Sequence, residues 1–517
     1  MSTNMEVSQS RSLGRVGLIN IGATTVGFFQ ALIIGKVFGV SIGIEVYFAA
    51  AVFYQVILGL LQTGQIVEIA IPVYHKLKCE KGRETAFALF SALLNWFVAI
   101  GGLLSVVCVF LAPVIVPFIA PGFRDEEMME CIAMFQWIVP CLALQIINSL
   151  ISSLIAAEQK YASQELGKLI CQILSLGVLL VFSAEMGAWV MVLSLWTLNI
   201  LSGLFLGLLS FRIGYRHSFI FTHSFFSVST IFKKLPHVFG YVGMTQLYSV
   251  MLTAGLSVLP SGSLAIFTYA RKISSRINGL LNRPVSLVFF NQYSEAISQG
   301  SATIRKLVKE ALRISLVFVT LAIVIVFTAG YPGFCAIWLG NEFPLTAVSH
   351  TYLAVCVLSL VPIFSVAGLI YRKISMSHQM VREQYFWLTL VQALCAVLAY
   401  FFIPIFGLKG AIGIVVLNPL LFVVVNSSIT FIKSRSSFQL YEPSHFLKCS
   451  AMALAGVIPT LVGQARMYSP TQCNELESLL IAFLSGGIGL IVAVLVGWLL
   501  NVAEIRSVVQ IAVRKIR

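Results

Sequence analysis

Apolar runs of about 20 residues, separated by short polar stretches, recur along the whole chain. A membrane-spanning helix needs ~20 mostly apolar residues, whereas a strand of a membrane barrel needs only ~10 residues of alternating polarity. The pattern therefore predicts an all-α polytopic membrane protein with about 14 transmembrane helices. The predicted spans are 16–38, 41–66, 86–115, 130–157, 165–183, 187–211, 234–258, 262–290, 310–330, 349–371, 384–404, 409–432, 446–464 and 477–500.

Basic residues are concentrated in alternate loops between these spans. If the N-terminus is cytoplasmic, most of the 34 Lys and Arg residues fall on the cytoplasmic side. Only Arg124, Lys409 and Arg466 fall in the opposite loops. This bias follows the positive-inside rule, and one missed span would reverse every later loop. We therefore expect both termini to be cytoplasmic.

Weak self-similarity indicates two related halves, as in many transporters. The third and ninth spans end in "FIAPGFRDEE" and "CAIWLGNEFPL", and Pro140 and Pro362 fall within the fourth and tenth spans. We predict two pseudo-symmetric six-helix lobes plus two C-terminal helices. The boundaries are 1–211 for the N-terminal lobe (helices 1–6), 212–233 for a cytoplasmic interfacial linker, 234–432 for the C-terminal lobe (helices 7–12) and 433–517 for helices 13–14 and a basic cytoplasmic tail. The aromatic, serine-rich linker is either a plain connector or a lipid-anchoring amphipathic helix.

Composition excludes a soluble protein, because 58% of the residues are hydrophobic and only 10% are charged. The net charge of +14 comes from short clusters between apolar runs, so we expect no nucleic-acid partner. The ten cysteines lie mostly in apolar runs and are interpreted as small buried hydrophobes. The chain has no Walker A pattern, zinc-protease motif or nucleophile elbow. We therefore expect a transporter without catalytic residues, metal or cofactor, rather than an enzyme.

The stretch "YARKISSRINGLLNR", within the eighth span, carries four cations in an apolar setting. At 100° per residue, Lys272, Arg276 and Arg283 share one stripe with Gly279, and Arg271 stands about 100° away. An intramembrane charge costs at least ~3 kcal/mol and normally faces a watery cavity or a partner. A lipid diphosphate fits these cations, since Arg binds phosphate oxygens bidentately, Lys acts as a point charge and glycine permits close approach.

Several of these residues have a structural alternative. Arg283 lies near the cytoplasmic end of the span, where it satisfies the positive-inside rule without binding anything. Arg271 could serve as an interfacial anchor in the outer half of the span. Amide side chains inside spans are expected to form hydrogen bonds between helices, and they are Asn95, Gln145, Asn148, Asn199 and Gln246.

The stretches "GKVFGVSIGIEVYFAAAVF", "APGF", "LIAAEQKYA" and "FTYARKISSRINGLL" resemble the MurJ (MviN) lipid II flippase family. That family belongs to the multidrug/oligosaccharidyl-lipid/polysaccharide exporter superfamily. The resemblance implies fourteen helices in two lobes around a central cationic cavity. It also implies transport of polyprenyl-diphosphate-linked sugars across the bacterial inner membrane by alternating access.

The chain departs from the family pattern at positions that matter for the cavity. Arginines that usually line the first helix are replaced by Thr24 and Gln30, so Gln30 is a candidate polar contact. The acidic residue that begins the second helix is kept as Glu45, either a gate residue paired with a cavity cation or a lip residue in the outer interface. The Asp-Arg pair of the eighth helix appears as Arg271-Lys272, which keeps only the basic member.

The expected function is translocation of an undecaprenyl-diphosphate-linked glycan, with lipid II first, from the inner to the outer leaflet of the bacterial inner membrane. Alternatives are flipping of an O-antigen, capsule or exopolysaccharide unit, then a nontransporting scaffold, then drug export. Drug export should show membrane-embedded carboxylates and few cations, the opposite of the eighth span. Expected partners are the lipid-linked glycan, membrane lipid and glycan-assembly or cell-wall enzymes. An ion gradient or the membrane potential would reset the cycle, and the sequence does not identify the ion.

Overall fold

The structure is a computed structural model that describes residues 19, 22–61, 74–221, 236–296, 301–377, 381–434 and 441–506. These residues are almost entirely helical, and none of them lies in a strand. Besides a short helical segment at 74–81, the helices are α1 (Gly22–Phe38), α2 (Ile42–Leu61), α3 (Arg83–Ile119), α4 (Asp125–Ile138), α5 (Cys141–Ala157), α6 (Tyr161–Met186), α7 (Trp189–Arg212), α8 (Pro236–Ser257), α9 (Ser263–Ala296), α10 (Ser301–Trp338), α11 (Leu345–Leu358), α12 (Val361–Ser377), α13 (Val381–Ser434), α14 (Pro443–Met467) and α15 (Glu475–Leu499). Each predicted span overlaps one or two of these helices. Residues 16–18, 20–21 and 62–66 of the first two predicted spans, 222–233 of the predicted linker and 507–517 of the predicted tail lie outside the described residues.

Within the described residues, ten helical segments have the length and hydropathy of membrane spans. This confirms the prediction of an all-α polytopic membrane protein. The longest segment, Arg382–Phe431, is interrupted at Gly407 and covers two predicted spans. Helix α1 is shorter than each of these ten segments, and α8 and α9 are not among them. The total of fourteen crossings therefore stays a prediction.

The fourth and tenth predicted spans share one construction. In each, a 14-residue helix and a 17-residue helix are separated by two residues, Val139 and Pro140 in the first case and Ser359 and Leu360 in the second. The junctions that follow also match. Gly187 ends α6 at φ 54° and ψ −139°, and Gly407 interrupts α13 at φ 60° and ψ −144°. The weak self-similarity of the sequence thus reflects a repeated order and length of helices.

Contacts divide the described residues into two units. The first lies within Met1–Gln30, Ser41–Leu264 and Ala399–Pro404, and the second lies within Ala31–Val40, Ala265–Leu398 and Ile405–Arg517. This division places α8 in the first unit and residues 31–40 in the second. It is therefore not the division drawn from the sequence, and the predicted lobe boundaries stay a prediction.

In the second unit, α10, α14 and α15 pack closely through small residues. A Cβ atom on Gly456 of α14 would lie 2.7 Å from the backbone oxygen of Gly489 of α15. A Cβ on Gly489 would lie 2.9 Å from Cγ2 of Thr328 on α10. Small side chains allow helix backbones to approach closely where lipid offers no hydrophobic driving force between helices. The last two predicted spans are held on α10 in this way.

In the first unit, one buried carboxylate joins three segments. Glu158 follows α5, and its side chain is 9% exposed. Its Oε1 accepts hydrogen bonds from Lys78 Nζ and the Tyr74 hydroxyl, both at 2.6 Å, and its Oε2 accepts one from Arg83 Nη2 at 2.7 Å. Burial alone would raise the pKa of the Glu158 carboxyl, but the hydrogen bonds from Lys78 and Tyr74 and the charges of Arg83 and Lys78 outweigh it and lower the pKa. Glu158 is thus held as a carboxylate.

Candidate functional site

Helix α9 carries the cationic stretch and is continuous from Ser263 to Ala296. It begins after a turn in which the Ser263 amide donates to the Pro260 oxygen and Gly262 adopts a φ of +92°. At 1.5 Å per residue, Lys272 lies about 13 Å and Arg276 about 20 Å along the helix axis from its first residue. The regular helix expected from the sequence is therefore present where the two cations lie.

The first turns of α9 are fixed by an aromatic cluster. The Tyr269 side chain is fully buried, and its hydroxyl donates to the Gly39 oxygen at 2.9 Å. Its ring lies 5.7 Å from that of Trp338 and 6.0 Å from that of Phe343. Trp338 in turn donates from Nε1 to the Leu32 oxygen at 2.7 Å. These contacts define the orientation of the helix just before Arg271 and Lys272.

The following turns of α9 are fixed by a polar contact with α12. The Ser365 hydroxyl donates to Oδ1 of Asn278 at 2.7 Å. Ile273 and Ser274 are buried on the same helix. Contacts thus hold α9 both before Lys272 and after Arg276. Because of them, the helix cannot rotate about its axis and carry the two cations away without breaking these contacts.

The cations lie on the less buried side of α9. Arg271 and Arg276 are exposed, whereas Lys272 and Gly279 are half-buried. A Cβ atom on Gly279 would meet no atom within 4 Å, so the backbone at this position is open to a ligand. The structure thus places Lys272, Arg276 and Gly279 along one side of a regular helix, as the sequence predicts. Arg271 lies beside them on an adjacent face.

The fourth cation of the stretch, Arg283, is described only in part. Its backbone belongs to α9, which continues to Ala296, and its side chain lies outside the described part of the chain. Its predicted contribution to the stripe is therefore not tested.

Glu45 and Gln30 belong to the first unit. Glu45 lies in the first turn of α2 and is 3% exposed. Its role, as a gate residue or as a lip residue, stays a prediction. Gln30, on α1, is half-buried, and its Oε1 accepts a hydrogen bond from Nε2 of Gln172 on α6 at 3.3 Å. The Gln30 side chain is thus held in an amide pair, which the sequence did not predict.

Other residues that shape the site were also missed. Tyr269, Trp338, Asn278 and Ser365 hold α9, yet none of them was singled out from the sequence. Two signals could have found them, because Tyr269 stands two residues before Arg271 and Asn278 is an amide inside the same span. The described residues include no group of three or more His, Cys, Asp or Glu side chains that could hold a metal ion.

Solved structures of similar fold include a lipid II flippase MurJ in an inward closed conformation, with a TM-score of 0.72 and 18% identity. That match covers 92% of this chain and 97% of the other. An inward-facing multidrug resistance MATE family transporter of the MOP superfamily matches with a TM-score of 0.59 and 14% identity, over 80% of this chain and 100% of the other. At these identities the likeness establishes the fold alone.

Comparison of the sequence with known proteins identifies the family of this chain. The probable lipid II flippase MurJ of Buchnera aphidicola subsp. Acyrthosiphon pisum (strain APS) is 23% identical over 325 residues, which are 61% of this chain and 63% of that protein. The chain thus matches less than two thirds of that relative's length. The model of the family described as "Lipid II flippase MurJ" matches residues 34–472, which is most of the chain. The chain belongs to the MurJ lipid II flippase family.

Proposed function

We propose that this protein flips an undecaprenyl-diphosphate-linked glycan, with lipid II as the first candidate, from the inner to the outer leaflet by alternating access. The observation that carries the proposal is the position of Lys272, Arg276 and Gly279 along one side of α9. The cations lie about 13 and 20 Å from the start of a helix that belongs to a multi-pass membrane protein. The names of the family and of its similar members supply the substrate class.

The chemistry of a lipid diphosphate matches this side of α9. An Arg guanidinium can bind two phosphate oxygens at once, and a Lys ammonium adds a compact charge. The open surface at Gly279 gives a headgroup access to the helix backbone. Charges inside a membrane cost at least ~3 kcal/mol each, which favours a functional role for both cations. Arg271 is proposed as a third diphosphate contact, with Arg283 at the far end of the stripe.

Two residues of the first unit are proposed as further functional residues. Buried Glu45 is a candidate gate residue that exchanges cationic partners during the cycle. Gln30, held by Gln172, is a candidate neutral contact for the substrate at a position where the family usually has arginine.

The proposal includes a location and an energy source. A flippase for a cell-wall precursor would work in the bacterial inner membrane, and the distribution of basic residues favours an orientation with both termini in the cytoplasm. Membrane potential or an ion gradient would drive the return step, with no bound cofactor. Glycan-assembly or cell-wall enzymes are the proposed protein partners.

Depletion of the protein in its host tests this function. We expect lipid II to accumulate on the inner leaflet, and wild-type protein supplied in trans should clear it. The double variant Lys272→Ala/Arg276→Ala should fail to clear it. The charge-preserving variant Lys272→Arg/Arg276→Lys should clear it in part. The measurement is the amount of each polyprenyl-linked precursor in the two leaflets.

A matched control removes two cations elsewhere. Lys409→Ala/Arg466→Ala lies in loops predicted on the opposite side and should clear the precursor as wild type does. Accumulation of a different polyprenyl-linked glycan would replace lipid II as the proposed substrate, but it would still support the proposed flipping mechanism. If no precursor accumulates, the protein is not a flippase of this class.

A further inference from the structure

The chain reverses direction where α7 ends. After Arg212, the Ile213 amide donates to the Leu209 oxygen and the Tyr215 amide donates to the Ser210 oxygen, at 3.2 and 3.1 Å. Gly214 adopts a φ of +83°, the left-handed conformation that commonly closes a helix C-terminus. This turn sends residues 215–221, here called the strap, back along the first unit as irregular backbone outside any helix or strand.

The strap lies along α3 and runs in the same direction as that helix. The Tyr215 ring packs edge-on against Phe87 at 5.5 Å, and its hydroxyl shares a hydrogen bond with Ser91 Oγ at 2.9 Å. The Ser218 amide donates to the same Ser91 oxygen. Phe221 packs edge-on against Trp96 at 5.7 Å. The α3 residues in contact, from Phe87 to Trp96, cover about 14 Å of the helix axis.

Two α3 side chains satisfy backbone oxygens of the strap. Nδ2 of Asn95 donates to the oxygens of Ser218 and Ile220, at 3.0 and 2.9 Å. Nε1 of Trp96 donates to the Phe221 oxygen at 2.7 Å. Asn95 was expected to bond to another helix, but its partner is irregular backbone. Irregular backbone close to lipid is stable only when protein groups satisfy its donors and acceptors, and these two side chains do so.

The strap lies at the end of a lipid-facing band. On α3, strongly exposed apolar side chains run from Leu103 (68%) to Phe118 (73%), about 22 Å of helix, whereas most residues from Ala86 to Phe97 are buried. Trp96, at 38% exposure, stands two turns before the start of this band. Aromatic side chains are typical of the membrane–water interface just outside such a band.

The outward side of the strap combines aromatic rings with positive charge. Phe219 is 87% exposed, and Phe211 and Phe221 are 70% and 49% exposed. Arg212 and Arg216 are exposed beside them, and no acidic residue occurs between Ser210 and Phe221. Exposed aromatics next to unopposed cations complement a membrane surface of anionic lipid.

We propose that the strap is an interfacial anchor, seated on α3 by Asn95 and Trp96. Its Arg216, Phe219 and Phe221 bind anionic lipid of the adjoining leaflet, together with Arg212 at the end of α7. The arginines contact the headgroups, and the rings enter the outermost part of the acyl-chain layer. This anchoring does not depend on which lipid-linked substrate the protein moves.

Hydrogen–deuterium exchange on the full-length protein in nanodiscs tests the anchor. Nanodiscs of phosphatidylcholine are compared with nanodiscs that also contain phosphatidylglycerol. In the wild type, we expect amides of residues 215–221 to exchange several-fold more slowly when phosphatidylglycerol is present. The variant Arg212→Ala/Arg216→Ala should lose this lipid difference, whereas Lys409→Ala/Arg466→Ala should keep it.

The seating on α3 is tested in the same measurement. Asn95→Leu keeps the side-chain size and removes both donated hydrogen bonds, so the strap should exchange faster in either lipid. Gln136→Leu removes a comparable bond, from Nε2 to the Val109 oxygen at the other end of α3, and should leave the strap unchanged. Strap exchange that is equal in the two lipids in the wild type would overturn the lipid role. Exchange that is insensitive to Asn95→Leu would overturn the seating.

Discussion

A single carboxylate, Glu158, accepts hydrogen bonds from three side chains and so joins the segment 74–81, the start of α3 and the end of α5. Its side chain is 9% exposed, while those of Lys78 and Arg83 are 35% and 45% exposed. The cations can therefore remain hydrated when the carboxylate is lost, whereas the three segments lose their common contact. Glu158 stabilises the first unit mainly by this linkage.

Replacement of Glu158 by Gln should lower the free energy of unfolding by about 1–3 kcal/mol, because charge-assisted hydrogen bonds are lost. Since the folded state lowers the pKa of this carboxyl, its contribution is complete above the ordinary value of about 4.5 and is lost as the pH falls further. Thermal unfolding in detergent should thus separate the wild type from Glu158→Gln at pH 7 and separate them less at pH 4. The exposed control Glu185→Gln should match the wild type at both pH values. Equal midpoints for Glu158→Gln and the wild type at pH 7 would contradict this role.

Individual residues differ in how far the sequence reveals them. The shared face of Lys272 and Arg276 could be predicted, because helical periodicity determines it in a regular helix. Their role in binding stays a prediction, drawn from the cost of a charge in an apolar run. The bond from Gln172 to Gln30 could not be predicted, because it joins α1 to α6 across more than a hundred residues and follows no local pattern. The same is true of the bond from Trp338 to Leu32. Long-range packing decides such pairs.

Among the helices, the matching junctions at Gly187 and Gly407 show a repeat that is stronger in structure than in sequence. Both glycines have φ near +57° with ψ near −140°, a backbone region that is essentially restricted to glycine. The sequence did predict that two halves are related, from Pro140, Pro362 and two similar loops. It did not reveal the shared helix lengths or the break inside α13, because a single glycine in an apolar run carries no clear signal.

Gly407→Ala should destabilise the protein by roughly 1–3 kcal/mol, since alanine is strained in this conformation. Gly413→Ala lies on the same helix, where a Cβ would meet no atom within 4 Å, and it should be neutral or stabilising by up to about 1 kcal/mol. Thermal unfolding of the two variants under one set of conditions measures the difference. The account of this junction fails if Gly407→Ala is as stable as Gly413→Ala.

For the whole molecule, family membership confirms the class that composition and pattern predicted. The chain is a multi-pass membrane protein of the MurJ lipid II flippase family. The division into units could not be derived from hydropathy, because apolar runs locate helices but do not indicate which helices contact one another. Helix α8, assigned to the C-terminal lobe from the sequence, makes its contacts within the first unit.

The central claim is that the cations of α9 bind a lipid diphosphate, and native mass spectrometry of the purified protein tests it most directly. The wild type should bind undecaprenyl diphosphate more tightly than undecaprenyl monophosphate. Lys272→Ala/Arg276→Ala should lower the affinity for the diphosphate at least about tenfold, given ~1.5–3 kcal/mol for each charged hydrogen bond. Lys272→Arg/Arg276→Lys should retain most of this affinity. An unchanged affinity of the double alanine variant for undecaprenyl diphosphate would contradict the account.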